Sequence, residues 1–142
     1  MTPEDKQLLV QDLCARLPYE PKARKGGMET NINLTTLDSF YYGDEIILPY
    51  LRPMSSMTED EKEELRNIIH FGYPSDDYDK YGHRGIEVAN VRYDDWKNIE
   101  FDFEEFYQLE DWLNAHHFDY NGLIGKGLAL KAPDGMYNKQ NN

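Results

Sequence analysis

Lys22-Ala23-Arg24-Lys25-Gly26-Gly27-Met28-Glu29-Thr30-Asn31 is the stretch on which the fold turns. A Gly-Gly pair supplies the positive φ angles of a tight hairpin turn at no steric cost. The flanks are rich in β-formers, so the expectation is a strand over Tyr19 to Lys25, a turn at Gly26-Gly27 and a strand over Thr30 to Thr35. Outward from this hairpin, Pro18, Pro21, Gly43, Pro49 and Pro53 punctuate the chain. Further short strands are expected at Ser39 to Tyr42 and Glu45 to Leu48, with a turn at Gly43-Asp44. Short strands this closely spaced predict a small antiparallel sheet, SH3-like in one form, and argue against a parallel sheet.

Helices flank this region on both sides. Thr2 is placed as an N-cap, with Pro3 at the first helical position and Glu4 and Asp5 in the first turn. Leu9, Val10, Leu13, Cys14 and Leu17 then recur at helical spacing, and Leu17-Pro18 stops the helix. Cys14 is read as a small buried hydrophobe on that stripe. Thr58-Glu59-Asp60-Glu61 has the form of a capping box, with Thr58 as N-cap and Glu61 at N3. Leu65, Ile68 and Ile69 supply the apolar face of the helix that follows, and Gly72 and Pro74 end it. Residues 72–85 read as a loop, and Ile86 to Val91 alternates like a strand. A third helix is expected from about Asp102, with Glu105 three residues on and Phe106, Leu109, Trp112, Leu113 and His116 on its apolar face. A short fourth helix is expected over Tyr120 to Lys126, between Asp119 as N-cap and Gly127. Leu128 to Lys131 then reads as an edge strand.

The fold class is therefore α+β: a small antiparallel sheet packed with an N-terminal helix and two to three further helices. Its expected core is Leu9, Leu13, Leu17, Ile32, Ile47, Leu65, Ile69, Val88, Leu109 and Leu113. The 142 residues make room for a single domain over 1–142. Within it, 1–57 carries the first helix and the sheet, 58–137 is the helical part with one or two strands, and 138–142 is a frayed tail. Hydrophobic residues at 39 % and aromatics at 13 % are enough for a core and argue against wholesale disorder. No apolar run approaches the roughly 20 residues of a membrane span. The acidic start Met1-Thr2-Pro3-Glu4-Asp5 lacks the apolar region of a secretory signal. A single cysteine fits a reducing compartment, and the expected location is cytoplasmic.

With 27 acidic and 15 basic residues the net charge is −12. Such a chain repels phosphate, which argues against direct nucleic-acid binding and against an anionic membrane surface. Lys22-Ala23-Arg24-Lys25 is the densest basic stretch, and it reads as a solvated edge. Asp77-Tyr78-Asp79-Lys80-Tyr81-Gly82 resembles the start of a calcium loop, with Asp76 beside it. Tyr81 at position 5 and Val88 at position 12 are not the oxygen ligands that calcium takes there. His116 and His117 are adjacent, so on a helix they point about 100° apart and do not chelate one metal. His70 and His83 have no ligand spacing. No phosphate loop, nucleophile elbow or other catalytic pattern is present, and the expectation is no catalytic residue, no metal and no cofactor.

Eleven tyrosines and two tryptophans exceed what a small core needs. Tyr73, Tyr78, Tyr81, Tyr93 and Trp96 lie in or beside the acidic loop segment. Aromatics with polar tips are enriched at protein interfaces, so these five are the candidate partner-binding residues.

Leu13-Cys14-Ala15-Arg16-Leu17-Pro18-Tyr19, Pro49-Tyr50-Leu51-Arg52-Pro53-Met54-Ser55-Ser56-Met57-Thr58 and Asp111-Trp112-Leu113-Asn114-Ala115-His116-His117-Phe118-Asp119-Tyr120 carry a resemblance. So does the tail from Gly127 to Leu130 and from Ala132 to Tyr137. In these strings, about a third of the chain, the sequence resembles a group of small proteins of gut Bacteroidetes, their prophages and their phages. The group brings no activity or catalytic residue with it, and the likeness implies a bacterial or phage cytosolic protein. The leading expectation is a non-enzymatic, acidic protein-interaction module with a protein partner. An acidic nucleic-acid mimic that occupies a basic host protein is the second, and an enzyme whose site assembles only in the fold is the third.

Overall fold

The computed structural model describes residues 1–43, 45–69 and 103–137, and the architecture is α+β. The hairpin forms, with a shorter first strand than expected and a second strand that starts two residues earlier and ends four residues earlier than the expected Thr30 to Thr35. β1 (Lys22–Lys25) pairs antiparallel with β2 (Met28–Asn31), from Lys22↔Asn31 to Lys25↔Met28. Gly26 and Gly27 sit at φ 59° and 85°, the two positive values that match a turn to the twist of its strands. β3 (Ile47–Leu51) returns antiparallel against β1, and Ile47, Pro49 and Leu51 alternate inward.

The sheet departs from the expected antiparallel form at its last strand. β4 (Leu130–Lys131) pairs parallel with β3, Tyr50↔Leu130 and Leu51↔Lys131, so the strand order β2-β1-β3-β4 is mixed. Parallel neighbours need a long crossover, and the chain between β3 and β4 supplies one. The four strands form an open row, and nothing among the described residues closes it into an SH3-like barrel.

α1 (Pro3–Arg16) begins with Thr2 as N-cap and is held by a full capping box. Thr2 Oγ1 accepts the Asp5 N–H at 3.0 Å, and the Asp5 carboxylate accepts the Thr2 N–H at 3.4 Å. Its inward face is Leu9, Asp12, Leu13 and Arg16. Cys14 is exposed, against the expectation of a buried position, because the charged pair takes the inward face instead. Leu17 is half-buried and packs on the core from a 3₁₀ turn, Leu17–Tyr19.

α2 (Leu34–Tyr42) replaces the strand expected at Ser39 to Tyr42 and the end of the one expected at Thr30 to Thr35. Asn33 is the reason: its Oδ1 accepts the Thr36 N–H at 2.9 Å and starts a helix that buries Leu37 and Phe40. Asn33→Ala is expected to cost about 1 kcal/mol. Thermal unfolding checks this, and an unchanged midpoint would mean the cap is idle.

α3 (Glu59–Ile69) and α4 (Phe103–Ala115) pack on each other. The fourth helix expected over Tyr120 to Lys126 is a set of turns instead. Asp119 does act as a cap, accepting the N–H groups of Leu123 at 2.8 Å and Ile124 at 2.9 Å. Gly122 and Gly127, at φ 70° and 77°, then break the helical path.

Two apolar clusters result. One, with Leu9, Leu13, Ile32, Leu37, Phe40, Ile47, Leu51 and Leu123, lies between the sheet and α1 and α2. The other, with Met54, Met57, Leu65, Leu109, Leu113, Phe118 and Tyr120, lies between α3 and α4. Of the expected core, Val88 and the strand at Ile86 to Val91 lie outside the described residues, as does the side chain of Ile69 at the end of α3. Among those residues no helix is long and apolar enough to cross a membrane.

Candidate functional site

Where β3 ends, Arg52 is gripped by the backbone that leaves α4. The Arg52 N–H donates to the His117 carbonyl and the Arg52 carbonyl accepts the Asp119 N–H, both at 2.8 Å. This grip lays the guanidinium over the Phe118 ring, 4.1 Å from its centroid. Arg52 Nη1 and Nη2 then donate to Glu61 Oε2 and Oε1 at 2.6 and 2.7 Å, a bidentate pair. Glu61 also completes the capping box of α3. Its Oε1 accepts the Thr58 N–H at 2.9 Å, and Thr58 Oγ1 accepts the Glu61 N–H at 3.1 Å. Burial alone would push the Glu61 carboxyl up; the Arg52 hydrogen bonds and the Thr58 N–H outweigh it and hold it below the usual carboxylate range.

This ion pair is the floor of a groove of about 730 Å³. One wall is α3, with Asp60 and Glu64. A second is the end of α4, with His116. The third is Lys131 at the end of β4 and the segment after it, through Pro133 and Asp134 to Tyr137. His116 stacks on Trp112 at 4.2 Å between ring centroids, and its Nδ1 lies 2.9 Å from the Trp112 carbonyl. A carbonyl only accepts, so Nδ1 carries the proton and Nε2 faces Glu64 Oε1 at 3.8 Å. Glu64 Oε1 is positioned by Trp112 Nε1–H at 3.0 Å. Tyr137 also lines the groove: its ring stacks on His117 at 3.6 Å and its hydroxyl donates to the Tyr50 carbonyl at 2.9 Å and accepts the Lys22 N–H at 2.8 Å. Burial pushes the Tyr137 hydroxyl up to about 12, against the opposing bond from Lys22.

The two histidines diverge, as their adjacency requires. His117, at φ 63°, ends α4 in the left-handed conformation, with its N–H on the Asn114 carbonyl and the Phe118 N–H on the Leu113 carbonyl. It is the buried member of the pair, and His116 is the half-buried one.

A second polar cluster lies in the interior. Arg16 and Asp12 have 0 % side-chain exposure and pair at 2.6 Å. Arg16 Nη2 donates to the Phe118 carbonyl at 2.8 Å, its guanidinium lies 5.0 Å from the Tyr120 ring centroid, and Asn121 Nδ2 donates to Asp12 at 2.8 Å. Burial opposes the Arg16 charge, and Asp12 outweighs it, so the pKa rises. Burial also raises Asp119, despite the N–H groups of Ile124 and Leu123, and raises Tyr120. This cluster joins α1 to the turns after α4.

The aromatic candidates Tyr73, Tyr78, Tyr81, Tyr93 and Trp96 lie outside the described residues, as do Asp76, Asp77, Asp79, His70 and His83. Among the described residues no three His, Cys, Asp or Glu side chains are placed to hold a metal ion. Sequence reading placed Glu61 at a helix start and His116 on a helix face. It did not bring them together with Arg52, Asp134 and Tyr137. The Thr58-to-Glu61 capping box was the one local signal at this site.

Chemically, among the described residues the groove presents four carboxylates, Asp60, Glu61, Glu64 and Asp134, against Arg52 and Lys131. Arg52 is committed to Glu61 in a fixed geometry. No family model, no curated protein and no solved structure matches this chain.

Proposed function

We propose that this chain is a non-enzymatic, acidic protein-interaction module of a bacterium or its phage. One observation carries the reading: a groove in which Arg52 and Glu61 form a bidentate pair, Trp112 Nε1–H holds Glu64 and the Trp112 carbonyl holds His116, on a chain of net charge −12. Groups fixed in this way make a rigid, charged recognition surface. The aromatic residues Tyr73, Tyr78, Tyr81, Tyr93 and Trp96 belong to the same proposal as partner contacts.

Affinity capture from a bacterial lysate, with and without nuclease and at two salt concentrations, tests it. The expected result is a discrete, nuclease-resistant protein partner, weakened by Tyr78→Ala, Tyr81→Ala or Trp96→Ala with the fold intact. An empty capture at both salt concentrations would count against the module. Retention that collapses steeply with salt, on a basic nucleic-acid-binding protein, would favour the mimic of a nucleic-acid backbone.

A further inference from the structure

We infer that the groove between α3, the end of α4 and the segment after β4 takes a lysine- or arginine-bearing peptide segment. This inference rests on the interaction-module reading and names the chemistry of its partner. The groove is of a size that holds a few side chains. Its floor is electrically closed, because Arg52 and Glu61 cancel in a bidentate pair at 2.6 and 2.7 Å. Among the described residues, what remains facing the occupant is Asp60 and Glu64 on one wall and Asp134 on another, with Lys131 as the only other lysine or arginine in the lining. Asp60, Glu64, Lys131 and Asp134 are exposed, so their charge is presented and not buried.

The walls suit the stems of basic side chains as well as their heads. Pro53, Ala132 and Pro133 give apolar surface beside the carboxylates, and the His116 and Tyr137 rings add flat faces. Lysine and arginine bury their methylene stems on such surface while the charged group reaches a carboxylate. Glu64 is held ready by Trp112 Nε1–H, so less ordering is needed on binding. An acidic peptide or a phosphate backbone meets like charge at the same rim, and the net charge of −12 repels both at longer range.

The test is a fluorescence-anisotropy titration of the full chain with short oligolysine, oligoarginine and oligoglutamate peptides. Oligolysine and oligoarginine are expected to bind, and oligoglutamate is not. Asp60→Asn with Asp134→Asn should weaken oligolysine binding about tenfold. Glu4→Gln with Asp38→Asn removes the same charge from exposed positions of α1 and α2 and should leave the affinity within about twofold. Lys131→Glu adds an acid to the rim and should tighten binding. All three variants change exposed side chains, and thermal unfolding verifies that they fold. Equal losses in the two double variants would show whole-chain attraction only and overturn the inference, as would absence of binding or no gain from Lys131→Glu. A discrete lysate partner that the Asp60→Asn, Asp134→Asn variant still captures at full strength would overturn the groove assignment and leave the module standing. Absence of any partner would remove the module itself.

Discussion

Arg16→Met is expected to destabilise the fold by about 3–5 kcal/mol. Arg16 and Asp12 both have 0 % side-chain exposure, so the substitution strands a carboxylate in the interior with Asn121 as its remaining side-chain donor among the described residues. It also frees the Phe118 carbonyl from its 2.8 Å bond and removes the cation over the Tyr120 ring. Removing one member of a buried pair costs far more than removing both, because the lone charge has lost its solvent and its partner. The double variant Asp12→Leu, Arg16→Met should therefore recover most of the loss. Urea unfolding of the two singles and the double closes the cycle. A single-variant loss below about 1 kcal/mol would mean that the pair contributes nothing beyond what water supplies.

Arg52→Ala is the second large effect, about 2–4 kcal/mol. It removes the bidentate bond to Glu61, the contact 4.1 Å from the Phe118 centroid and weaker bonds to the Ser56 and His116 carbonyls. Those contacts tie the end of β3 to the start of α3 and the end of α4. The sign of its pH dependence follows from Glu61. The folded carboxyl lies below its unfolded value, so the pair's stabilisation is fully present above the ordinary glutamate range and fades as pH falls through the folded value. The stability gap between wild type and Arg52→Ala should accordingly narrow on acidification. Asp119 works with the opposite sign: its raised pKa makes ionisation oppose folding, so its contribution improves as pH falls below the folded value. Chemical denaturation at neutral and acidic pH separates the two. A gap that stays constant with pH would show that Glu61 ionisation is not linked to Arg52.

The elements legible in the sequence are those whose signals are local. Gly26-Gly27 marked the hairpin, Thr2 and Thr58 marked helix starts, and the Leu109 and Leu113 stripe marked α4. Where two local readings competed, the weaker signal won. Thr35, Thr36, Phe40, Tyr41 and Tyr42 are β-formers, yet the single Asn33 cap and the burial of Leu37 and Phe40 made a helix of them. Asp119 capped as read, but the glycines after it allowed turns and not a helix. Charged residues on a helix are ordinarily counted as solvated, which hid Arg16 in the core and placed Cys14 inside. The groove was invisible for a different reason. Its described residues come from the segment after β3, the start of α3, the residue after α4 and the stretch from the end of β4, and no periodicity within one stretch can report a meeting of four.

The parallel pairing of Tyr50 with Leu130 bears on the order in which the chain assembles. The hairpin and its β3 neighbour are complete by Leu51, with the Gly26-Gly27 turn and the connection through α2 to close, and they are free to form before the rest of the chain is synthesised. The strand that covers the far edge of β3 arrives last, after a loop closure across α3 and α4. Until then β3 offers an unpaired edge, the kind of surface on which two nascent copies join. Tyr137, whose hydroxyl bonds to Lys22 and Tyr50, then fastens that final segment back onto the earliest part of the sheet. Truncation before residue 130 would leave that edge of β3 uncovered.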